Sequence, residues 1–275
     1  MSGPKDKDDG AENRDELPDY SGTLRAFHVG FENDLRAVVQ SLPMHARMRV
    51  ADVGCGDGFY SRLLAERLGE DGGITGFDAN RACLAQAEQA AASLRGNFTW
   101  TEATLEQLPR EHFDLVFCAQ SLFSFPEPVA ALKKFRDGAK FGGLVAVLEN
   151  DTLHQCLLPW PSDVELKIRL AEYEALKAES NQPQKFYVGR RFPQLFDEAG
   201  IEPLYFRTLA TDCRAPLNKS VQKFIDGYLD ALFDRIEPYT TAGFRAETIE
   251  KLNALRRSPH FTFTWTNLLI WGRKN

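Results

Sequence analysis

The stretch that most restricts this chain is VADVGCGDGFYSRLL, residues 50–64, where glycines at 54, 56 and 58 separate an apolar run from residues at helical spacing. A glycine-rich passage from a strand into a helix lets a ligand touch main-chain atoms, because no side chain stands between them. The pattern departs from the dinucleotide form G-x-G-x-x-G, since the third glycine comes one position early. No G-K-S/T ending follows, as a triphosphate loop requires. Asp52, two positions before the first glycine, points to a cationic group on the ligand.

From Arg49 onward, short apolar runs alternate with helical periodicity, the signature of a sheet with helices on both faces. Strands are expected at RVADV (49–53), ITGF (74–77), FTWT (98–101), FDLVFCA (113–119) and LVAVLE (144–149). The last two are apolar throughout, as strands covered on both faces are. Tyr60, Leu63, Leu64 and Leu68 mark a helix closed by Gly69, and an alanine-rich helix is expected from about 81 to 94, capped by Asn80.

The alternation then breaks. Residues 151–185 form a partly helical excursion, with Ser162 and Glu165 spaced as a capping box, before a helix ending in LFDEAG. Val221, Phe224, Ile225, Tyr228, Leu229, Leu232, Phe233 and Ile236 define a strong amphipathic helix. FTFTWT (261–266) alternates aromatic with threonine, which predicts an antiparallel strand at the end of a mixed sheet.

A chain of 275 residues with 43% hydrophobic content supports one enzyme-sized domain, and a net charge of -6 argues against nucleic acid as partner. Residues 1–20 are acidic and lack an apolar core, so a disordered tail is expected rather than a targeting signal. No apolar run reaches the roughly 18 residues that a membrane span needs. The five cysteines are odd in number and widely spaced, with no C-x-x-C pair, which fits reduced thiols in a cytoplasmic protein and no metal site.

The glycine stretch resembles the D-x-G-x-G-x-G motif of the class I, Rossmann-like S-adenosylmethionine-dependent methyltransferases. Four further segments fit in order: ITGFD, ATLEQLP (103–109), FDLVFCAQSLFSFPEP (113–128) and LKKFRDGAKFGG (132–143). The resemblance implies an α/β fold of three layers, with a seven-stranded, mostly parallel sheet, an antiparallel last strand and a helical cover. It also implies S-adenosyl-L-methionine as cofactor, held by Asp52, Gly54, Cys55, Gly56, Asp78, Ala79, Thr104, Leu105 and Gln120. Asp78 would chelate the ribose hydroxyls, and Thr104 and Leu105 would flank the adenine. Thr104 replaces a customary aspartate and Phe141 a customary proline.

Substrate groups are expected beyond the carboxyl ends of the strands. The segment 21–45 supplies a cover with Phe27, His28 and Phe31, and an insertion at about 151–190 supplies His154, Tyr187 and Arg190. Asn150 follows the fifth strand directly. His154 or His28 is the expected base, Arg190 the expected clamp for an anionic group, and Phe27, Phe31, Asn150 and Tyr187 the expected substrate contacts. Each also has a plain structural reading: the histidines as core or surface residues, the arginine as partner of a carboxylate. Methyl transfer to a small-molecule acceptor is the leading expectation. RNA- or protein-directed transfer, and a non-catalytic cofactor-binding interaction protein, stand as alternatives, with the oligomeric state open.

Overall fold

A computed structural model describes residues 14–179 and 183–275. Of the acidic tail expected over 1–20, residues 1–13 lie outside the described part, and 14–20 form turns against the start of a later helix. The elements run α1 (Ser21–Gly30), α2 (Glu32–Gln40), β1 (Arg49–Val53), α3 (Phe59–Ala65), β2 (Gly73–Asp78), α4 (Arg81–Ala91), β3 (Phe98–Glu102), β4 (Phe113–Ala119), α5 (Pro128–Gly138) and β5 (Ala139–Glu149). They continue as β6 (Cys156–Leu157), α6 (Ser162–Glu179), α7 (Phe192–Glu198), β7 (Ile201–Arg214), α8 (Lys219–Ile236), α9 (Phe244–Arg256) and β8 (Thr262–Lys274).

The sheet is ordered β3-β2-β1-β4-β5-β8, and both β6 and β7 pair with β8. Strands β1 to β5 are parallel, while β8 runs antiparallel to β5, β6 and β7. This is the Rossmann-like arrangement expected, with one strand more. The extra strand, β6, meets Thr264 and Trp265 beyond the point where β5 leaves Leu268, so residues 150–155 loop out between two stretches of one sheet edge.

Side chains alternate between two cores. Leu115, Phe117 and Ala119 of β4 enter one, with α1, α2, α3 and α8; Val116 and Cys118 enter the other, with α5 and α7. That double burial explains why β4 and β5 are apolar at successive positions. Strand order reverses between β1 and β4, so the loops after these two strands flank the crevice where open α/β sheets take their ligands.

Two elements end earlier than their periodicity implies. Helix α3 stops at Ala65, because Arg67 turns its guanidinium to the carbonyls of Val39, Gln40, Leu42 and Met44, and Gly69 bonds the Ala46 carbonyl. Helix α4 stops at Ala91, while Asn80 caps it by accepting from the Cys83 amide at 2.9 Å. Among the described residues no helix is long and apolar enough to cross a membrane.

Candidate functional site

The loop after β1 turns on three glycines with positive φ, and they differ in what surrounds them. A Cβ on Gly58 would meet the Trp100 ring at 2.8 Å and Ala87 at 2.9 Å, and one on Gly54 would meet Ser121 at 2.6 Å. These two are glycine because the protein itself presses on them. Gly56, with φ +52°, faces open space, with no atom within 4 Å of such a Cβ. There the backbone is bare toward the crevice.

Asp78 ends β2 beside this loop. One carboxylate oxygen accepts from the Gly56 amide at 2.8 Å and the other from the Asn80 amide at 2.8 Å. Each oxygen keeps further lone-pair capacity for two neighbouring hydroxyls. Ala79 follows at an exposed bend. The turned segment before α1 reaches the same corner, where Asn80 donates to the Glu16 carbonyl at 2.9 Å.

Asp52 points the other way. It is 1% exposed and accepts from the Ser61 hydroxyl of α3 at 2.6 Å, so it clamps the helix behind the loop. Burial pushes its carboxyl up to about 7, with Asp78 and Asp57 adding like-charge repulsion after the Ser61 bond has pulled it down. Cys55 is buried, and burial drives its thiol well above the ordinary range, which excludes a thiolate nucleophile.

On the far side, Thr104 and Leu105 open a single 3-10 turn (Leu105–Gln107) past β3. Thr104 is exposed, and its amide donates to the Gln107 side chain at 2.8 Å. Gln120 follows β4 in a left-handed conformation, φ +53°, which costs a non-glycine residue roughly 1–2 kcal/mol. Its Nε2 reaches Asn150 at 3.3 Å, and its side chain also faces the His28 imidazole. Asn150 is itself fixed by donating to the Thr266 carbonyl at 2.7 Å.

Helix α1 closes over the loop. His28 is 5% exposed and stacks on Phe59 at 4.1 Å, with Nδ1 4.0 Å from Asp57. Burial pulls its imidazole down to about 4 against the opposing pull of Asp57 and of the Gln120 side chain that faces the ring. Phe27 and Phe31 continue inward to Trp265 and Phe224, with Phe27 5.4 Å and 5.1 Å from those rings.

The second group of expected residues forms a separate cluster. Arg190 pairs with Asp151 through two contacts, one of them 3.0 Å, and its guanidinium lies 4.9 Å from the Tyr187 ring. His154 is largely exposed and meets Arg190 at 2.6 Å. Asp151 therefore already neutralises Arg190. His28 and His154 thus occupy different places: one buried beside the glycine loop, the other at the surface in an ion-paired group.

Glu149 ends β5 fully buried, and its carboxylate takes the Leu122 amide at 2.5 Å and the Phe123 amide at 3.4 Å. Burial raises its pKa to about 8. Asp57 and Tyr60 also lie beside His28, and the sequence singles out neither as a site residue. Helical spacing gave Tyr60 no distinguishing mark; its phenol is buried with no partner, 5.4 Å from His28. Among the described residues no cluster of histidine, cysteine and carboxylate groups could hold a metal ion.

A family model described as a methyltransferase domain matches residues 44–200, which takes in the loop, β2 and the strand-four region. The chain belongs to the class I S-adenosylmethionine-dependent methyltransferases. Within it, this methyltransferase is 33% identical to the trans-aconitate 2-methyltransferase of Rhizobium leguminosarum over 132 residues, 46% of this chain and 49% of that one. It is 32% identical to the ubiquinone biosynthesis O-methyltransferase of Nitrosospira multiformis over 37% of this chain and 44% of that one. Its identity to the tRNA U34 carboxymethyltransferase of Nautilia profundicola is 26%, over 65% of this chain and 61% of that one. The methyltransferase thus spans about half the length of the curated relatives it matches. Among solved structures, YcgJ of Bacillus subtilis shares the fold at a TM-score of 0.54 and 15% identity, covering 89% of this chain and 99% of that one.

The residues fit the family's cofactor. Gly56 offers bare backbone, Asp78 a strand-end carboxylate with capacity left, and Asp57 a second carboxylate in the same loop, negative charge suited to a sulfonium.

Proposed function

We propose that this methyltransferase transfers a methyl group from S-adenosyl-L-methionine to a small-molecule acceptor, by in-line attack of an oxygen, nitrogen or carbon nucleophile. The observation that carries the reading is the Asp78 carboxylate bonded to Gly56 across a loop whose central glycine faces open space. The bound cofactor supplies a methyl group already activated by its sulfonium. What remains for the chain is to hold the nucleophile in line and keep water out.

In this reading Asp78 and Ala79 hold the ribose, Thr104 and Leu105 flank the adenine, and the backbone of Gly54, Cys55 and Gly56 meets the methionine portion. Asp52 sets the loop through Ser61, and Gln120, held in its strained turn, faces the reacting end. His28 receives the proton from the nucleophile, since its neutral imidazole lies under the cover and Asp57 and Gln120 support the charge that develops. Phe27 and Phe31 supply apolar contact for the acceptor. Asn150 aligns Gln120, while Arg190 and Tyr187 brace the loop around Asp151.

A small acceptor is supported by the apolar interior beneath α1 and by the net charge of -6, which opposes a polyanion. Two of the relatives carry names of small-molecule chemistry, trans-aconitate and ubiquinone biosynthesis. The five cysteines are free, as a reducing cytoplasm would keep them.

Titration calorimetry with S-adenosylhomocysteine tests the cofactor half. Losing charge-assisted bonds to the ribose in Asp78→Asn should weaken binding about tenfold to a hundredfold with an unchanged circular dichroism spectrum. Equal affinity in the variant removes the assignment. Labelled methyl transfer to a metabolite panel, bulk tRNA and bulk protein then tests the acceptor. Label confined to metabolites is expected, whereas label in tRNA or protein, or tight binding without any turnover, selects the corresponding alternative.

A further inference from the structure

The loop after β4 is gripped by three successive residues where β5 ends. The Leu148 carbonyl accepts from the Gln120 amide at 2.7 Å, the Glu149 carboxylate takes the Leu122 amide at 2.5 Å, and Asn150 Oδ1 accepts from Gln120 Nε2 at 3.3 Å. This grip holds Gln120 in its left-handed conformation. It also decides which way the Gln120 amide points.

The polarity is set at a backbone carbonyl. That of Thr266 can only accept, so the Asn150 atom 2.7 Å from it is Nδ2. The second hydrogen of that group goes to Asn267 Oδ1 at 3.1 Å, and Asn267 is 3% exposed. Asn150 has only its oxygen left for Gln120, and an oxygen there admits only Nε2 as partner. Gln120 in turn keeps its buried Oε1 for the imidazole that its side chain faces. The direction of its influence agrees: Gln120 favours the protonated ring, as an accepting oxygen does and a donating amide nitrogen does not.

A neutral imidazole carries one N–H, and the bond that one nitrogen makes fixes the tautomer of the ring. The other neighbours of His28 act without such a bond. Asp57 stands 4.0 Å from Nδ1, Arg62 acts through its charge, Phe59 stacks on the ring and Tyr60 meets it edge-on.

We infer that Asn150, anchored by Thr266 and Asn267, is a positioning residue for methyl transfer: through Gln120 it holds the N–H of neutral His28 on the ring nitrogen that faces Gln120 and leaves the lone pair on the other nitrogen. This rests on the reading of His28 as base. As the acceptor atom bonds to the methyl carbon, the carbon–sulfur electron pair goes to sulfur and the acceptor's proton goes to that lone pair, while the N–H on Gln120 stays in place. The reversed tautomer turns an N–H toward the acceptor and takes no proton.

The test uses the full chain saturated with S-adenosylhomocysteine, its histidine ring nitrogens isotopically labelled, in proton–nitrogen correlation spectra at pH 7. The signals that His28→Phe removes are those of His28. One tautomer should exceed the other by at least about tenfold in wild type, the scale of one hydrogen bond. Asn150→Leu should bring the ratio below about threefold, because Gln120 is then free to turn its amide over. Gln120→Gly suits the left-handed backbone, so it folds, and it should bring the ratio equally low by deleting the accepting oxygen. A side chain that served stability alone would leave the ratio unmoved. A mixed population in wild type, or an unchanged ratio in either variant that folds, overturns the inference while the base reading stands. Full turnover by His28→Phe in the labelled-methyl assay overturns the base reading, and the inference with it.

Discussion

Asp78 and His28 stand at the same end of the sheet, yet the protein provides for them in opposite ways. Both oxygens of Asp78 are fixed by backbone amides, so its position is set before any ligand arrives. His28 is packed between Phe59 and Tyr60 with no backbone group fixing it, and only side chains, Asp57 and Gln120, face its ring. The same contrast separates the two halves they belong to. The loop half uses main-chain hydrogen bonds and tight glycine packing; the covered half holds its polar groups in a dry aromatic interior by side-chain contacts. Recognition of a shared cofactor suits the first construction, and selection of a particular acceptor suits the second.

The sharpest way to break this comparison is inside the loop. Gly58→Ala places a Cβ against Trp100 and Ala87 at a left-handed φ of +73°, so overpacking and backbone strain should together cost about 3 kcal/mol. Gly56→Ala carries strain alone, about 1 kcal/mol, because its Cβ meets nothing. Chemical denaturation should therefore separate the two variants, with Gly58→Ala much the less stable. Calorimetry with S-adenosylhomocysteine should show Gly56→Ala weakened beyond what its stability explains, since its methyl enters the open face. Equal stability losses would mean that both glycines serve only the turn.

The covered half is tested through His28. Its folded pKa, about 4, lies below the unfolded value near 6.5, so the unfolded chain binds the extra proton between those limits. The contribution is fully present at neutral pH and is lost as pH falls toward 4. Asp57 and Gln120 face the imidazole and favour the proton, while Arg62 and burial oppose it. Asp52 and Glu149 have raised pKa values and change in the opposite sense, so the wild-type profile alone does not isolate His28. The difference between His28→Phe and wild type does. Relative to wild type, the variant should gain about 2 kcal/mol in unfolding free energy between pH 7 and pH 5. A difference that is flat across this range would mean that His28 is solvated.

What the sequence made legible follows the same division. RVADV coincides with β1, and the apolar runs at 113–119 and 144–149 lie within β4 and β5, because burial on both faces leaves a continuous apolar record. The glycine spacing and Asp78 were readable for a related reason, since a backbone cradle is local in the chain. Strand β7 left no clear pattern: it is exposed along most of its length and bulges between Pro203 and Tyr205. Gln120, Asn150 and Asn267 meet only in three dimensions, from segments far apart in the chain. His28 and His154 look alike on the page, and only packing separates a histidine stacked on Phe59 from one exposed beside Arg190.

Glu149 lies at the border between the halves and sharpens where that border runs. Its folded pKa of about 8 exceeds the unfolded value, so its contribution is complete below about pH 4.5 and is lost as pH rises through 8. Gln retains an oxygen for the Leu122 and Phe123 amides. Between pH 7 and pH 9, Glu149→Gln should therefore spare the protein about 1 kcal/mol of stability that wild type loses. Thermal denaturation of the pair at the two pH values checks this, and parallel losses would place the carboxyl in contact with water.

The smallest effect is expected at His154. Its side chain is 58% exposed, and it meets an Arg190 that Asp151 already holds by two contacts, so deleting the imidazole leaves no buried charge behind. Surface changes of this kind shift stability by no more than about 0.5 kcal/mol. If the proton leaves the nucleophile through His28, His154→Ala should keep turnover within about twofold of wild type and preserve its pH dependence, whereas His28→Phe should lower turnover by about a hundredfold, the scale of one general base. The reverse outcome, loss at His154 and none at His28, would move the reacting end of the crevice to the loop after β5 and make the surface cluster, not the cover, the place where chemistry occurs.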